Sequence, residues 1–140
     1  MSKNSHILIV DDDVQLVDSV QTLLESVGYQ VSSAYQSRKG IELAQETTPD
    51  LILLDVMFAG PPGPDGFEVS RELYADPQLR EIPIIILSGV RKVLNVSFQL
   101  TPDETWMPVK AFLDKPIKPQ KLLDEIGKVL ARSEKAQASG

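Results

Sequence analysis

Short apolar runs of four or five residues alternate with amphipathic stretches along most of the chain, and this alternation limits the possible folds more than any other feature. Ile7-Leu8-Ile9-Val10 reads as a buried strand from its length and branching. Leu16, Val17, Val20, Leu23, Leu24 and Val27 then recur at helical spacing, and Gly28 supplies a stop signal. The segment 29–35 reads as a second, more polar strand. A short helix follows through Ile41, Leu43 and Ala44 and is ended by Pro49. Leu51-Ile52-Leu53-Leu54 is a third strand running straight into Asp55, and a turn-rich loop rich in Gly and Pro occupies 59–66. A third helix is predicted over 67–74, a fourth strand over 83–87 and a shorter fifth over 109–113. Pro119 suits the first position of a last helix that carries Leu122, Leu123, Ile126, Val129 and Leu130 on one face.

Strands and helices in this order imply an α/β fold with a parallel sheet covered on both faces. Right-handed crossovers leave few topologies for it. With 140 residues and no internal repeat, one domain is expected over 5–131, followed by a small, polar, disordered tail over 132–140. One stretch resists the pattern. Between residues 89 and 108 a helix is due, yet Thr101-Pro102 and Met107-Pro108 interrupt it, so no more than a turn or two near 91–96 is expected. The fourth helix is thus atypical or shortened.

Composition excludes several functions. No apolar run is long enough to span a bilayer and no signal-peptide pattern opens the chain, so no membrane insertion and a cytoplasmic location are expected. The absence of cysteine excludes disulfides and thiolate metal sites. A net charge of -6 argues against direct nucleic-acid binding, because a phosphate backbone repels such a surface.

Open parallel sheets gather their sites outside the carboxyl ends of the strands, near the point where strand order reverses. Here those ends carry Asp11-Asp12-Asp13, Asp55, Ser88 and Lys115. Clustered carboxylates repel, and a hard dication with oxygen ligands removes that penalty; Mg²⁺ suits the set and bridges readily to phosphate. Asp55 then stands as a nucleophile able to form an aspartyl-phosphate. Lys115 would neutralise phosphoryl oxygens and Ser88 would donate a hydrogen bond to one of them.

The segments Ile7-Leu8-Ile9-Val10-Asp11-Asp12, Leu53-Leu54-Asp55-Val56-Met57, Asp65-Gly66-Phe67-Glu68, Pro83-Ile84-Ile85-Ile86-Leu87-Ser88-Gly89 and Phe112-Leu113-Asp114-Lys115-Pro116 resemble the receiver domain of two-component response regulators, the superfamily of the chemotaxis regulators. Each motif alone is weak; five in order, each at a predicted strand end, are specific. The resemblance implies a flavodoxin-like, doubly wound (βα)5 sandwich with five parallel strands in the order 2-1-3-4-5. It implies Asp55 as phosphoacceptor, Lys115 as the phosphate-binding lysine, Ser88 as the switch hydroxyl and Phe112 as the switch aromatic. It further implies a Mg²⁺ site made by Asp12 and Asp55 directly, by Asp11 through water, and by the backbone carbonyl of Met57. Placing the acidic pair directly after Val10 leaves Asp13 at the start of the first helix, where it helps to cap it. The implied partners are a sensor histidine kinase or phosphotransfer protein upstream and a protein partner downstream, with no enzyme activity of its own. The expected protein is a single-domain regulator in a phosphorelay.

The chain departs from the family in the longer loop after Asp55 and in the segment 89–108, which puts its mode of output in question. Two other classes remain open. A receiver-like binding module acting without phosphorylation would use the altered 89–108 surface. An aspartate-nucleophile phosphohydrolase of the haloacid dehalogenase type needs Asp-x-Asp-x-Thr/Val; Asp11 and Asp13 fit, but Gln15 does not, and the chain lacks room for a cap domain. Taken singly, the residues have plainer readings: a solvated acidic turn, a small polar loop residue at Ser88, a core aromatic at Phe112. Trp106 reads either as a partner-docking anchor or as a plug in the gap left by a missing helix, and His6 as a structural or exposed residue.

Overall fold

A computed structural model describes residues 5–55, 66–88, 109–114 and 117–139. The described residues form five strands: β1 (His6–Val10), β2 (Gln30–Ala34), β3 (Leu51–Asp55), β4 (Ile84–Ser88) and β5 (Val109–Asp114). Among the described residues there are four helices, α1 (Val14–Ser26), α2 (Ser37–Thr47), α3 (Gly66–Ala75) and α4 (Pro119–Ser139). The strands are all parallel and form a single sheet in the order β2-β1-β3-β4-β5, as the resemblance implies.

The strands with the most apolar sequences lie in the middle of the sheet. β3 is buried from end to end and β1 is buried from Ile7 to Val10, whereas the more polar β2 forms an edge. Side chains alternate between faces with the period of two that a strand imposes. On one side Leu8, Val10, Ile52, Leu54, Ile84 and Ile86 pack against Ile41 and Ala44 of α2, Val69 and Leu73 of α3, and Leu79. On the other, Ile7, Ile9, Leu51, Leu53, Ile85 and Leu87 pack against Val17, Val20 and Leu24 of α1 and Leu122, Ile126, Val129 and Leu130 of α4. Full burial of each such aliphatic side chain contributes roughly 1.5–3 kcal/mol, so two complete cores hold the three layers together.

Local chemistry sets the element ends. Gly28 takes φ 104° just beyond α1, a conformation that glycine adopts without a Cβ penalty. At the start of β1 the His6 amide donates to Asp50 Oδ2 and the Asp50 amide donates to the His6 carbonyl, each at 2.7 Å. The His6 ring shares a 2.7 Å hydrogen bond with the Ser32 hydroxyl, which favours the structural over the exposed of its two expected roles. β5 carries a register shift against β4, where Ile84 faces Val109 and Ile85 faces Ala111.

The end of α4 differs from expectation. The backbone stays helical through Ser139 rather than leaving the helix near 132. Ser133-Glu134-Lys135-Ala136-Gln137-Ala138 lacks large apolar residues, which suggested a frayed tail, but it also lacks Gly and Pro and is rich in strong helix formers. The atypical helix expected within 89–108, Trp106 and the Gly/Pro-rich loop up to residue 65 all lie outside the described residues.

Candidate functional site

β1 and β3 are hydrogen-bonded neighbours, with Val10 opposite Leu54. One step further along the same register lie Asp11 and Asp55, both at the carboxyl ends of their strands. The sheet order reverses here, since β2 lies beyond β1 and β4 beyond β3. Asp11 and Asp55 are 0% and 2% exposed, the two buried acidic side chains among the described residues. Asp12 is exposed beside them. One carboxylate oxygen from each of Asp11, Asp12 and Asp55 lies within 4.8 Å of the others.

Two hydrogen bonds fix the turn that carries the acidic pair. The Asp11 amide donates to the Ala34 carbonyl at 3.1 Å, which ties the end of β1 to the end of β2. The Asp13 amide donates to Asp11 Oδ1 at 2.9 Å. Asp13 is the N-cap of α1: its backbone is extended, its side chain accepts from the Leu16 amide at 3.1 Å and its carbonyl accepts from the Val17 amide at 3.0 Å. The expected cap is therefore present. Asp11 and Asp12 thus belong to the cluster with Asp55, while Asp13 engages the helix.

The donor set fits a hard dication. Three carboxylates supply oxygen alone, and two of them have been removed from water, where an opposite charge compensates them best. Softer metals would call for nitrogen or sulfur, and the only histidine, His6, opens β1 while the acidic cluster lies beyond that strand's far end. Asp11, Asp12 and Asp55 each offer one oxygen to such an ion.

The remaining expected site residues are placed in part. Ser88 ends β4 and pairs in register with Asp114 of β5, and Leu87 before it pairs with Asp55, so the Ser88 backbone lies at the same rim as the carboxylates. The Phe112 backbone pairs with Ile86. Both are described through the backbone alone. Met57 and Lys115 lie outside the described residues, although Lys115 directly follows Asp114, the last residue of β5.

Two contributors were missed by sequence reasoning. The peptide N–H of Asp13 as a clamp on Asp11 leaves no signal in residue identity. Gly40 does leave one: it is a glycine inside a helical pattern. A Cβ built there would stand 2.7 Å from both methyl groups of Val10, so α2 approaches β1 closely just before Asp11.

The chain belongs to the response regulator receiver domain family, whose sequence model matches residues 7–127. It is 33% identical over 131 residues to the DNA-binding dual master transcriptional regulator RpaA of Synechocystis sp., covering 92% of this chain and 50% of that protein. It is 32% identical over 130 residues to Protein PilH of Pseudomonas aeruginosa, covering 91% of this chain and 98% of that one. The chain thus spans half of the first relative and nearly all of the second. Its fold matches the crystal structure of a CheY-like response regulator receiver domain protein from Methanospirillum hungatei with a TM-score of 0.81 at 27% identity, covering 95% of this chain and 98% of that one. Membership makes this a module of two-component signalling with a flavodoxin-like fold, and not a member of an enzyme family. Among the described residues no helix is long and apolar enough to cross a membrane.

Proposed function

We propose that Asp55 accepts a phosphoryl group in a Mg²⁺-dependent reaction and so switches a protein-interaction surface within a phosphorelay. The observation that carries this reading is the meeting of the Asp11, Asp12 and Asp55 carboxylates within 4.8 Å at the β1/β3 rim. A Mg²⁺ ion held there would neutralise the carboxylates and the incoming phosphoryl oxygens. Asp55 sits at the end of a fully buried strand, which fixes the place of its backbone at the rim. One of its oxygens forms the new bond to phosphorus while the bond from phosphorus to the donor breaks and the donor leaves with that electron pair.

Lys115 would bind the phosphoryl group, and the Ser88 hydroxyl would donate to it, with Phe112 following that movement as a switch. The support for these roles is the placement of Ser88 at the same rim and of Lys115 one residue after β5. Phosphorylation adds negative charge to a rim already acidic, which biases a two-state arrangement of the surrounding loops. A sensor histidine kinase or phosphotransfer protein is the phosphoryl source in this reading, meeting the chain in the cytoplasm, and a downstream protein reads the switched surface.

Incubation with acetyl phosphate or phosphoramidate and Mg²⁺, followed by intact-mass measurement, tests the proposal. One hydroxylamine-sensitive phosphoryl adduct should form, and it should disappear with chelator and in Asp55→Asn. An adduct that persists in Asp55→Asn, or none in the wild-type chain, would overturn it.

A further inference from the structure

We infer that Asp13 is a positioning residue for the dication, acting on the metal site through its cap on α1 and not through its charge. The inference rests on the Mg²⁺ reading above. Asp13 links the first turn of α1 directly to the side chain of Asp11. Its side chain accepts the Leu16 amide and its carbonyl accepts the Val17 amide, so it is fastened to the first turn of α1. Its own amide donates to Oδ1 of Asp11, a carboxylate that is fully buried. α1 in turn is anchored to the sheet through Val17, Val20 and Leu24.

The chain of contacts therefore runs from the core, through α1, through one capped turn, to the orientation of Asp11. Asp12 lies between the two fastened residues, so its backbone is held at both sides. Loss of the cap would free the turn and let the Asp11 and Asp12 carboxylates sample arrangements that no longer converge on Asp55. The Asp13 carboxylate itself is turned to the Leu16 amide, so removing its charge while keeping an accepting oxygen should cost the site little.

Calorimetric titration of the whole chain with Mg²⁺, well below the melting temperature of each variant, separates these roles. Asp13→Asn and Asp13→Ser keep a capping oxygen and should bind within about twofold of wild type, whereas Asp13→Ala should bind about fivefold more weakly, a factor equivalent to about 1 kcal/mol. Thr22→Gly, on the exposed face of α1 and away from the turn, should lower the melting temperature without changing the affinity. Equal weakening in Asp13→Asn and Asp13→Ala would mean that charge is what matters and would overturn the inference. So would an Asp13→Ala chain that melts earlier but binds Mg²⁺ as wild type does. Failure of the wild-type chain to bind Mg²⁺ at all would instead remove the metal site, and loss of binding in Asp12→Asn shows that the titration reads that site.

Discussion

Thr48 closes α2 with φ 40° and ψ 68°, a left-handed conformation in which a branched side chain crowds its own backbone. The strain is of order 1–2 kcal/mol and glycine would relieve it, although glycine also adds roughly 0.5–1 kcal/mol of chain entropy to the unfolded state. Thr48→Gly should therefore stabilise the protein by about 0.5–1 kcal/mol, read as a higher urea midpoint at unchanged slope. A lower midpoint would show that the Thr48 hydroxyl, which donates to the Thr47 carbonyl at 2.8 Å, is worth more than the strain. At this scale the sequence is only partly legible. Asp11, Asp12 and Asp55 could be picked out because carboxylates at successive strand ends have few structural uses, and the structure brings them together. Thr48 could not, since the stop signal for α2 was read at Pro49 and nothing in a threonine announces positive φ.

Among elements, the seating of α2 on β1 depends on Gly40. Alanine there would gain about 1 kcal/mol of helix propensity, but its methyl group would stand 2.7 Å from two Val10 carbons, and overpacking of this kind costs about 1–3 kcal/mol. Gly40→Ala should be net destabilising by about 1 kcal/mol, and that cost should largely vanish when the same change is made in a Val10→Ala background, which lacks the crowding methyl groups. A double-mutant cycle on unfolding free energies measures this, and strict additivity of the two changes would refute the contact. Most elements could be read from periodicity because each apolar run is long enough to fill one face or both. The second strand was harder to see, since an edge strand is covered less and can carry Gln30, Ser32 and Ser33. The continuation of α4 to Ser139 escaped notice for the opposite reason: helix propensity sustains it where no apolar stripe marks it.

For the whole molecule, a ligand that binds the folded chain alone raises its stability by mass action. Mg²⁺ at about 100 times its dissociation constant should add about 2.7 kcal/mol to the unfolding free energy, and chelation should remove the gain. Asp12→Asn should remain folded, since Asp12 is exposed, yet show no such response in a thermal scan. A full Mg²⁺ response in that variant would mean that the ion binds elsewhere.

The alignment of Val10 with Leu54 has a wider consequence. Backbone pairing spaces adjacent strands by about 4.8 Å, and the two innermost carboxylates hang from neighbouring rails of that ladder. Their separation is thus gauged by the ladder and not by the loops that leave it. The connection after Asp55 can lengthen or change composition to suit a new client while these two acidic groups keep the same span.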